Sequence, residues 1–170
     1  MKISWSIKLG IIAGILNCIA WYLYARSMNY YSFEVDRYRY YTTLLCLLAG
    51  IFSSIYLEKR SNGGFIEYKN AAKSGILFTL VLSISLAIFN YVYYSVLVPD
   101  LVDYFLSEEK KAMLDLKLDG EIIAKNQEML RSYFGSFRMF MSTLIIGVII
   151  SLVAAAVLRK KNPVAVFSEN

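Results

Sequence analysis

The chain has 170 residues, 58% of them hydrophobic, and a formal net charge of +5. An ordinary soluble domain is about 45–50% apolar even with glycine counted, so this chain carries more apolar surface than it can bury against itself. Its two cysteines, two prolines and lack of histidine exclude a disulfide scaffold, a low-complexity chain and a histidine-based catalytic triad, and they remove the commonest metal ligand.

Four apolar runs follow one another along the chain, at residues 7–25, 41–57, 75–98 and 137–158. Each run is 17 to 24 residues long. At about 1.5 Å per helical residue, such a run matches the roughly 30 Å hydrocarbon core of a bilayer. Pro99 and Asp100 end the third run, because proline removes a helix donor and restricts the residue before it. We therefore predict an all-α membrane protein with four transmembrane helices in an antiparallel bundle, forming a single membrane domain over residues 1–170.

The loop of residues 99–136 is the largest polar segment of the chain. A helical pattern of apolar residues runs through its first half from Leu101 to Leu116, and Asp119 with Gly120 breaks it. A second pattern begins at Ile122 and continues toward the fourth run. We expect an extracytoplasmic helical hairpin between spans three and four, which docks either on its own bundle or on a partner protein.

Basic residues indicate the orientation of the spans, because short loops rich in lysine and arginine stay in the cytoplasm. On the side of the chain termini these residues lie in short segments beside the membrane, such as residues 59–60 and 159–161. We therefore place both termini in the cytoplasm. The basic segments form a collar suited to anionic lipid headgroups, which explains the net charge without binding of nucleic acid.

Small residues recur at four-residue spacing in all four runs. This spacing places them in one row on each helix, where they let a neighbouring backbone approach closely. Each row serves either packing within the chain or contact with a second copy in a homo-oligomer. The candidate helix-packing residues are Gly10, Gly14, Gly50, Gly75, Ser83, Gly147 and Ser151.

Asn17 and Asn90 are the strongest polar residues inside the apolar runs, and no Asp, Glu or Lys lies at mid-membrane. Proton- or ion-coupled transport usually needs an ionisable group at that depth. The two asparagines either form hydrogen bonds between helices, which the composition favours, or line a substrate path.

Four arginines are expected near the outer headgroups, where they bind an anion, contact the carboxylate of a partner or extend to water. They are Arg37 and Arg39 in the loop after the first span, and Arg131 and Arg138 before the fourth span. Since Arg131 and Arg138 are seven residues apart, we expect them on one face of one helix.

Motifs of enzymatic chemistry are missing: the sequence has no glycine-rich phosphate loop, no Cys-x-x-Cys, no Gly-x-Ser-x-Gly and no cluster of metal ligands. We therefore predict no catalytic residues, no cofactor and no metal site. The preferred function is a non-enzymatic accessory or scaffold subunit of an envelope complex, with a membrane protein or a second copy as its partner. Two alternatives stay open: a small transporter or lipid-handling protein, and a membrane anchor for a glycosyltransferase that acts on lipid-linked sugars.

Three segments and the charged hairpin give the chain the layout of a known family. The segments are Gly-Gly-Phe-Ile-Glu-Tyr-Lys from residue 63, the stretch from Asn90 to Asp100, and the ending of residues 147–161. In this layout the chain resembles a small multipass family of Bacteroidota described as domain of unknown function 4199. The resemblance implies four spans in the bacterial inner membrane and a basic cytoplasmic end, and it supplies no catalytic residues to carry over.

Overall fold

The computed structural model describes residues 4–28 and 33–160, with side chains from residue 37 onward in the second range. These ranges contain no β-strand. Their helices are α1 (Trp5–Ser27), α2 (Phe33–Ser61), α3 (Tyr68–Val92), α4 (Leu101–Asp115), α5 (Gly120–Tyr133) and α6 (Ser136–Leu158), and a π-helical segment (Tyr93–Leu97) continues α3.

Four helical stretches are long and apolar enough to cross a membrane: Trp5–Ser27, Arg37–Ser61, Tyr68–Leu97 and Ser136–Leu158. They confirm the four long apolar helices predicted from the sequence. The helices extend beyond the predicted runs, since α2 begins at Phe33 and α3 at Tyr68 rather than at residues 41 and 75. Hydropathy marks only the part of a helix whose side chains prefer hydrocarbon, whereas the backbone hydrogen bonds continue into its polar turns.

Helix α3 packs against α1, α2 and α6. The core between these helices includes Leu47, Ile51, Phe78, Leu82, Leu86 and Ala154. Large side chains on the outside of the helices are apolar as well, and Ile15, Leu45 and Ile149 are all exposed. A helix that is apolar on every side is typical of a membrane span, because lipid tails rather than water cover its outer face.

Glycines of α1 stand where α1 comes closest to α3. A Cβ atom added at Gly10 would lie 2.9 Å from Cβ of Val81, and one added at Gly14 would lie 2.7 Å from Cβ of Ser85. Real Cβ contacts are longer than this, so the two backbones approach in a way that only glycine permits.

The remaining candidate packing residues lie where α3 meets α2 and α6. A Cβ added at Gly75 would lie 2.8 Å from Ser151 of α6. The Ser151 hydroxyl donates to the carbonyl oxygen of Gly147 at 2.7 Å, and the Ser83 hydroxyl donates to that of Thr79 at 2.8 Å. Each of these buried hydroxyls therefore donates within its own helix, and Oγ of Ser151 also lies 3.5 Å from Oγ1 of Thr79 on α3.

Three buried hydroxyl groups join α1, α2 and α3 at one end of the bundle, which we call the serine end. The Oγ atoms of Ser6, Ser54 and Ser74 lie 2.8 to 2.9 Å from one another. Each hydroxyl has both a donor and lone pairs, so a closed triangle satisfies all three groups away from water.

A short backbone contact ties the end of α6 to the connection between α2 and α3, also at the serine end. Ile66 and Lys160 exchange both backbone hydrogen bonds, at 3.0 and 2.9 Å, and the Nζ atom of Lys59 donates to the carbonyl oxygen of Leu158 at 2.9 Å. A lysine at a helix C-terminus supplies a donor and a charge that the last carbonyls accept. Lys161 of the predicted basic collar lies outside the described residues.

In the sequence, α4 and α5 lie between the third and fourth apolar helices. They pack on each other at the end of the bundle opposite to the serine end. The break between the two helices ends at Asp119. Its side chain accepts a hydrogen bond from the backbone N–H of Glu121 at 3.3 Å and so caps the start of α5. Gln127 of α5 donates to the carbonyl oxygen of Leu106 in α4 at 2.9 Å. We call this end of the bundle the hairpin end.

Candidate functional site

A cavity of about 240 Å³ lies among α2, α3 and α6 at the hairpin end. The part of the cavity nearest the hairpin end carries Arg39 and Arg138, which we call the cationic rim and treat as its top. About one helical turn below them, toward the serine end, lie three hydroxyl side chains, Thr43, Ser142 and Thr143, which we call the hydroxyl band. Below the band the walls are apolar and consist of Leu47 and Ile146, while Leu44 lies at the level of the band and Met139 at the level of the rim; Asn90, Tyr40 and Tyr133 complete the lining.

The cavity exists because α2 and α6 touch near their middles and leave space toward the hairpin end. At the point of contact, a Cβ added at Gly147 would lie 3.0 Å from Cδ2 of Leu47 and would clash with Thr79. Leu47 is buried and forms the floor of the cavity. The glycine therefore fixes where the two helices meet and hence how deep the cavity is.

Arg39 is a buried cation, with 8% of its surface exposed. Its Nη1 atom donates to Oδ1 of Asn90 at 3.1 Å and to the hydroxyl oxygen of Tyr94 at 3.3 Å, and its guanidinium lies 4.9 Å from the ring centre of Trp21. Carbonyl and hydroxyl dipoles and an aromatic face each stabilise a desolvated guanidinium.

The sequence-based placement of Arg39 in the loop after the first span is wrong. Arg39 lies inside α2, because the helix begins six residues earlier at Phe33. Helical geometry then turns the side chain inward, on the same face as Leu47, which is eight residues further on. Arg37 lies on the exposed side of the same helix.

Asn90 connects the buried arginine to the start of α6. While its Oδ1 accepts from Arg39, its Nδ2 donates to the carbonyl oxygen of Phe134 at 2.9 Å and to the hydroxyl of Ser136 at 3.3 Å. Only 1% of the residue is exposed. One side chain of α3 therefore positions both the arginine of α2 and the turn from which Arg138 projects.

Arg138 is the exposed member of the cationic rim. It lies in the first turns of α6, and its guanidinium is 4.7 Å from the ring centre of Tyr133. Among the residues that the structure covers, no carboxylate lies within 4.0 Å of it. Within the described residues, the tyrosine ring is the group that stabilises its charge.

The prediction that Arg131 and Arg138 share a face of one helix is wrong. Helix α5 ends at Tyr133 and α6 begins at Ser136, because Phe134 and Gly135 interrupt the helix between them. Arg131 instead lies 3.3 Å from Oδ1 of Asp103 on the surface of α4 and α5. Of the four arginines predicted as outer contacts, the structure brings two together at the cavity.

The hydroxyl band was not predicted as a site. Thr43 lies one helical turn below Arg39, about 6 Å deeper along α2, and Thr143 lies at a similar depth below Arg138 on α6. Thr143 is 3% exposed, and its hydroxyl makes no hydrogen bond to any residue that the structure describes. The sequence signal for this site was the four-residue spacing of Arg39, Thr43 and Leu47, which predicts that they share one helix face.

Asn17 approaches the site from behind Thr43. Its Nδ2 donates to Oγ1 of Thr43 at 3.1 Å and so joins α1 to α2. In the described part of the chain, Oδ1 of Asn17 and Nε1 of Trp21 are buried without a hydrogen-bond partner. These two atoms lie one turn apart on α1, so two polar groups behind the cavity have no hydrogen-bond partner among the described residues.

Three chemical layers follow one another from the rim to the floor of the cavity: a pair of cations, a band of hydroxyls and an apolar end. This order is that of an amphiphile with an anionic head and an apolar tail. Within residues 4–28 and 33–160, no three His, Cys, Asp or Glu side chains come together as metal ligands.

The fold and this cavity define a transmembrane helical bundle with an amphiphilic cavity at one end. Residues 8–160 match the model of the family described as "Protein of unknown function (DUF4199)". The chain belongs to this family, which confirms the resemblance predicted from the layout of its sequence. No curated protein and no solved structure matches the chain.

Proposed function

We propose that the protein binds an anionic amphiphile in the cavity between α2 and α6 and acts as a lipid-handling membrane protein. The observation that carries this proposal is the convergence of Arg39 and Arg138 above an apolar cavity whose floor is Leu47. A guanidinium pair recognises a phosphate group through charge-assisted hydrogen bonds, and the apolar walls accept the start of a hydrocarbon tail.

The proposal includes a topology in the bacterial inner membrane. The four apolar helices form an antiparallel bundle, both termini lie in the cytoplasm, and the α4–α5 hairpin lies outside it. Contacts at the serine end support the antiparallel order, because Ser6 and Ser74 near the starts of α1 and α3 meet Ser54 near the end of α2. In this topology the cationic rim lies at the headgroup level of the outer leaflet, and the basic collar faces anionic headgroups of the inner leaflet.

The size and lining of the cavity indicate how the amphiphile enters. A volume of about 240 Å³ is smaller than a typical pocket for a drug-sized ligand, so it accepts a headgroup and the start of one chain but not a whole lipid. Tyr40, Ser142 and Arg138 on its rim and walls are exposed at the sides of α2 and α6. The lipid therefore enters sideways from the bilayer and leaves most of its tails there.

The Arg138→Gln variant tests this function. We expect about tenfold weaker binding of phosphatidylglycerol to the detergent-purified variant, measured by native mass spectrometry, because a charge-assisted hydrogen bond is lost. Arg131→Gln is the matched control, since Arg131 is an arginine of the same hairpin end outside the cavity, and its binding should stay within about twofold of the unmodified protein.

Two further measurements complete this test. Unmodified protein should prefer phosphatidylglycerol over zwitterionic phosphatidylcholine, and millimolar inorganic phosphate should not displace the bound lipid. Equal binding of the two lipids, or an equal loss in both arginine variants, would contradict the proposal. Displacement by inorganic phosphate would assign the rim to a free anion instead of an amphiphile.

A second candidate function is an accessory or scaffold subunit of an envelope complex. It is favoured by exposed apolar side chains on the hairpin, among them Leu114, Leu116, Ile122 and Met129. Such residues rimmed by charges fit a protein partner or a second copy. The same native mass spectra separate the two functions after gentle extraction: a complex with another protein or a second copy supports the scaffold, whereas a lone chain carrying lipid argues against it.

A further inference from the structure

The hydroxyl band indicates which class of anionic lipid the cavity binds, and this inference rests on the proposed function. We infer that the cavity selects an ester-linked phospholipid over an isoprenoid phosphate. An ester-linked phospholipid presents carbonyl acceptors a few bonds below its phosphate, whereas an isoprenoid phosphate continues there directly into hydrocarbon. The structure supplies hydroxyl groups at that depth.

The spacing between the rim and the band matches such a lipid. Arg39 and Thr43 are four residues apart on one face of α2, so the hydroxyl lies about 6 Å deeper than the arginine backbone. Arg138 and Ser142 have the same spacing on α6, and Thr143 follows at once. All of them line the same cavity, so both walls repeat the order of arginine above hydroxyl.

Two of these hydroxyls retain a hydrogen-bond donor for a ligand. The Oγ1 atom of Thr43 accepts from Asn17 at 3.1 Å, and in the described residues no acceptor takes the proton of its own hydroxyl. Thr143 is buried and makes no hydrogen bond within the same residues. Both residues line the cavity, so an acceptor on the occupant can take the protons of their hydroxyls.

Thr143 differs from two other hydroxyl residues of α6, which donate to a carbonyl oxygen of their own helix. Ser142 returns its hydrogen bond to the carbonyl oxygen of Met139 at 3.2 Å, and Ser151 returns its bond to that of Gly147 at 2.7 Å. Helical hydroxyls usually satisfy themselves in this way in an apolar environment. Thr143 does not, and it faces the cavity at the depth where an ester carbonyl would lie.

The test compares three lipids with phosphatidylcholine as the reference on the purified full-length protein by native mass spectrometry. The three lipids are diacyl phosphatidylglycerol, its dialkyl ether analogue without carbonyl groups, and undecaprenyl phosphate. We expect the unmodified protein to bind the diacyl lipid about tenfold more tightly than the ether analogue and more tightly than the isoprenoid phosphate. The Thr43→Val and Thr143→Val double variant keeps side-chain shape and should bind the diacyl and ether lipids equally.

Thr42→Val is the matched control, because the Thr42 hydroxyl already donates to the carbonyl oxygen of Tyr38 at 3.0 Å and does not line the cavity. It should keep the preference for the diacyl lipid. Equal binding of the diacyl and ether lipids by the unmodified protein, or tighter binding of undecaprenyl phosphate, would overturn the inference while leaving the proposed function intact. If none of the three lipids binds more tightly than phosphatidylcholine, the proposed function itself fails. The comparison of lipids on the unmodified protein remains decisive even if the double variant does not fold.

Discussion

Replacing Asn90 with leucine is expected to lower the free energy of unfolding by about 3 kcal/mol. Leucine has a similar size, so the change removes hydrogen bonds without opening a large cavity. The change removes the hydrogen bonds that Asn90 makes with the buried guanidinium of Arg39 and with the carbonyl oxygen of Phe134. Thermal unfolding in detergent should show a midpoint lower by about 6–12 °C.

Asn17→Leu is the matched control for this prediction. Asn17 makes one hydrogen bond, to Thr43, and its Oδ1 is already buried without a partner among the described residues. Removing an unsatisfied polar atom offsets part of the loss, so we expect a change of less than about 1 kcal/mol. Equal destabilisation by the two variants would show that the links from Asn90 to α2 and α6 do not hold the hairpin end together.

Replacing Gly147 with alanine is expected to destabilise the bundle by about 2 kcal/mol. The added methyl group would clash with Thr79 of α3 and approach Leu47 of α2 to 3.0 Å. Both neighbours are buried and have no room to move, so α6 must shift away from α2 and α3. The same thermal unfolding measurement gives the loss.

Gly120→Ala provides the control for the glycine prediction. No atom lies within 4 Å of the position that a Cβ would take at Gly120, and the residue is helical. We therefore expect no loss of stability there, since alanine is the better helix former. Unchanged stability of the Gly147 variant would mean that α6 does not pack closely at this position.

Much of the fold was predictable because a membrane span needs a long apolar helix. The transfer free energy of side chains alone gives four such helices, and the turn chemistry of Asp119 divides α4 from α5. The start of α2 was not predictable from hydropathy. Its first turns carry charges in a segment that reads as a loop, yet they are helical.

The site was harder to predict than the fold, because its residues come from distant parts of the chain. Arg39 is buried through partners on α1 and α3, and Asn90 lies 51 residues away from it. No local pattern reports such a partner. Periodicity was nevertheless informative, since Arg39, Thr43 and Leu47 share the face that continues into the core, and a charge on a core face calls for a partner.

Arg131 and Arg138 show where a prediction from periodicity fails. Seven-residue spacing predicts one shared face only if the helix is continuous, and the turn at Phe134 and Gly135 interrupts it. The carbonyl oxygen of Phe134 accepts from Asn90 instead of continuing the helix. A tertiary hydrogen bond therefore separates Arg138, which faces the cavity, from Arg131, which pairs with Asp103.

Photo-crosslinking tests most directly whether an anionic lipid occupies the cavity. Phosphatidylglycerol with a diazirine in the acyl chain near the ester is bound to the protein in nanodiscs, irradiated and mapped by peptide mass spectrometry, with the matching phosphatidylcholine as reference. Crosslinks specific to phosphatidylglycerol should fall on Leu44, Leu47 and Ile146, and Arg138→Gln should reduce them. If both lipids label the outward-facing Leu45 and Ile149 alike and leave the cavity unlabelled, the protein does not bind an anionic lipid there.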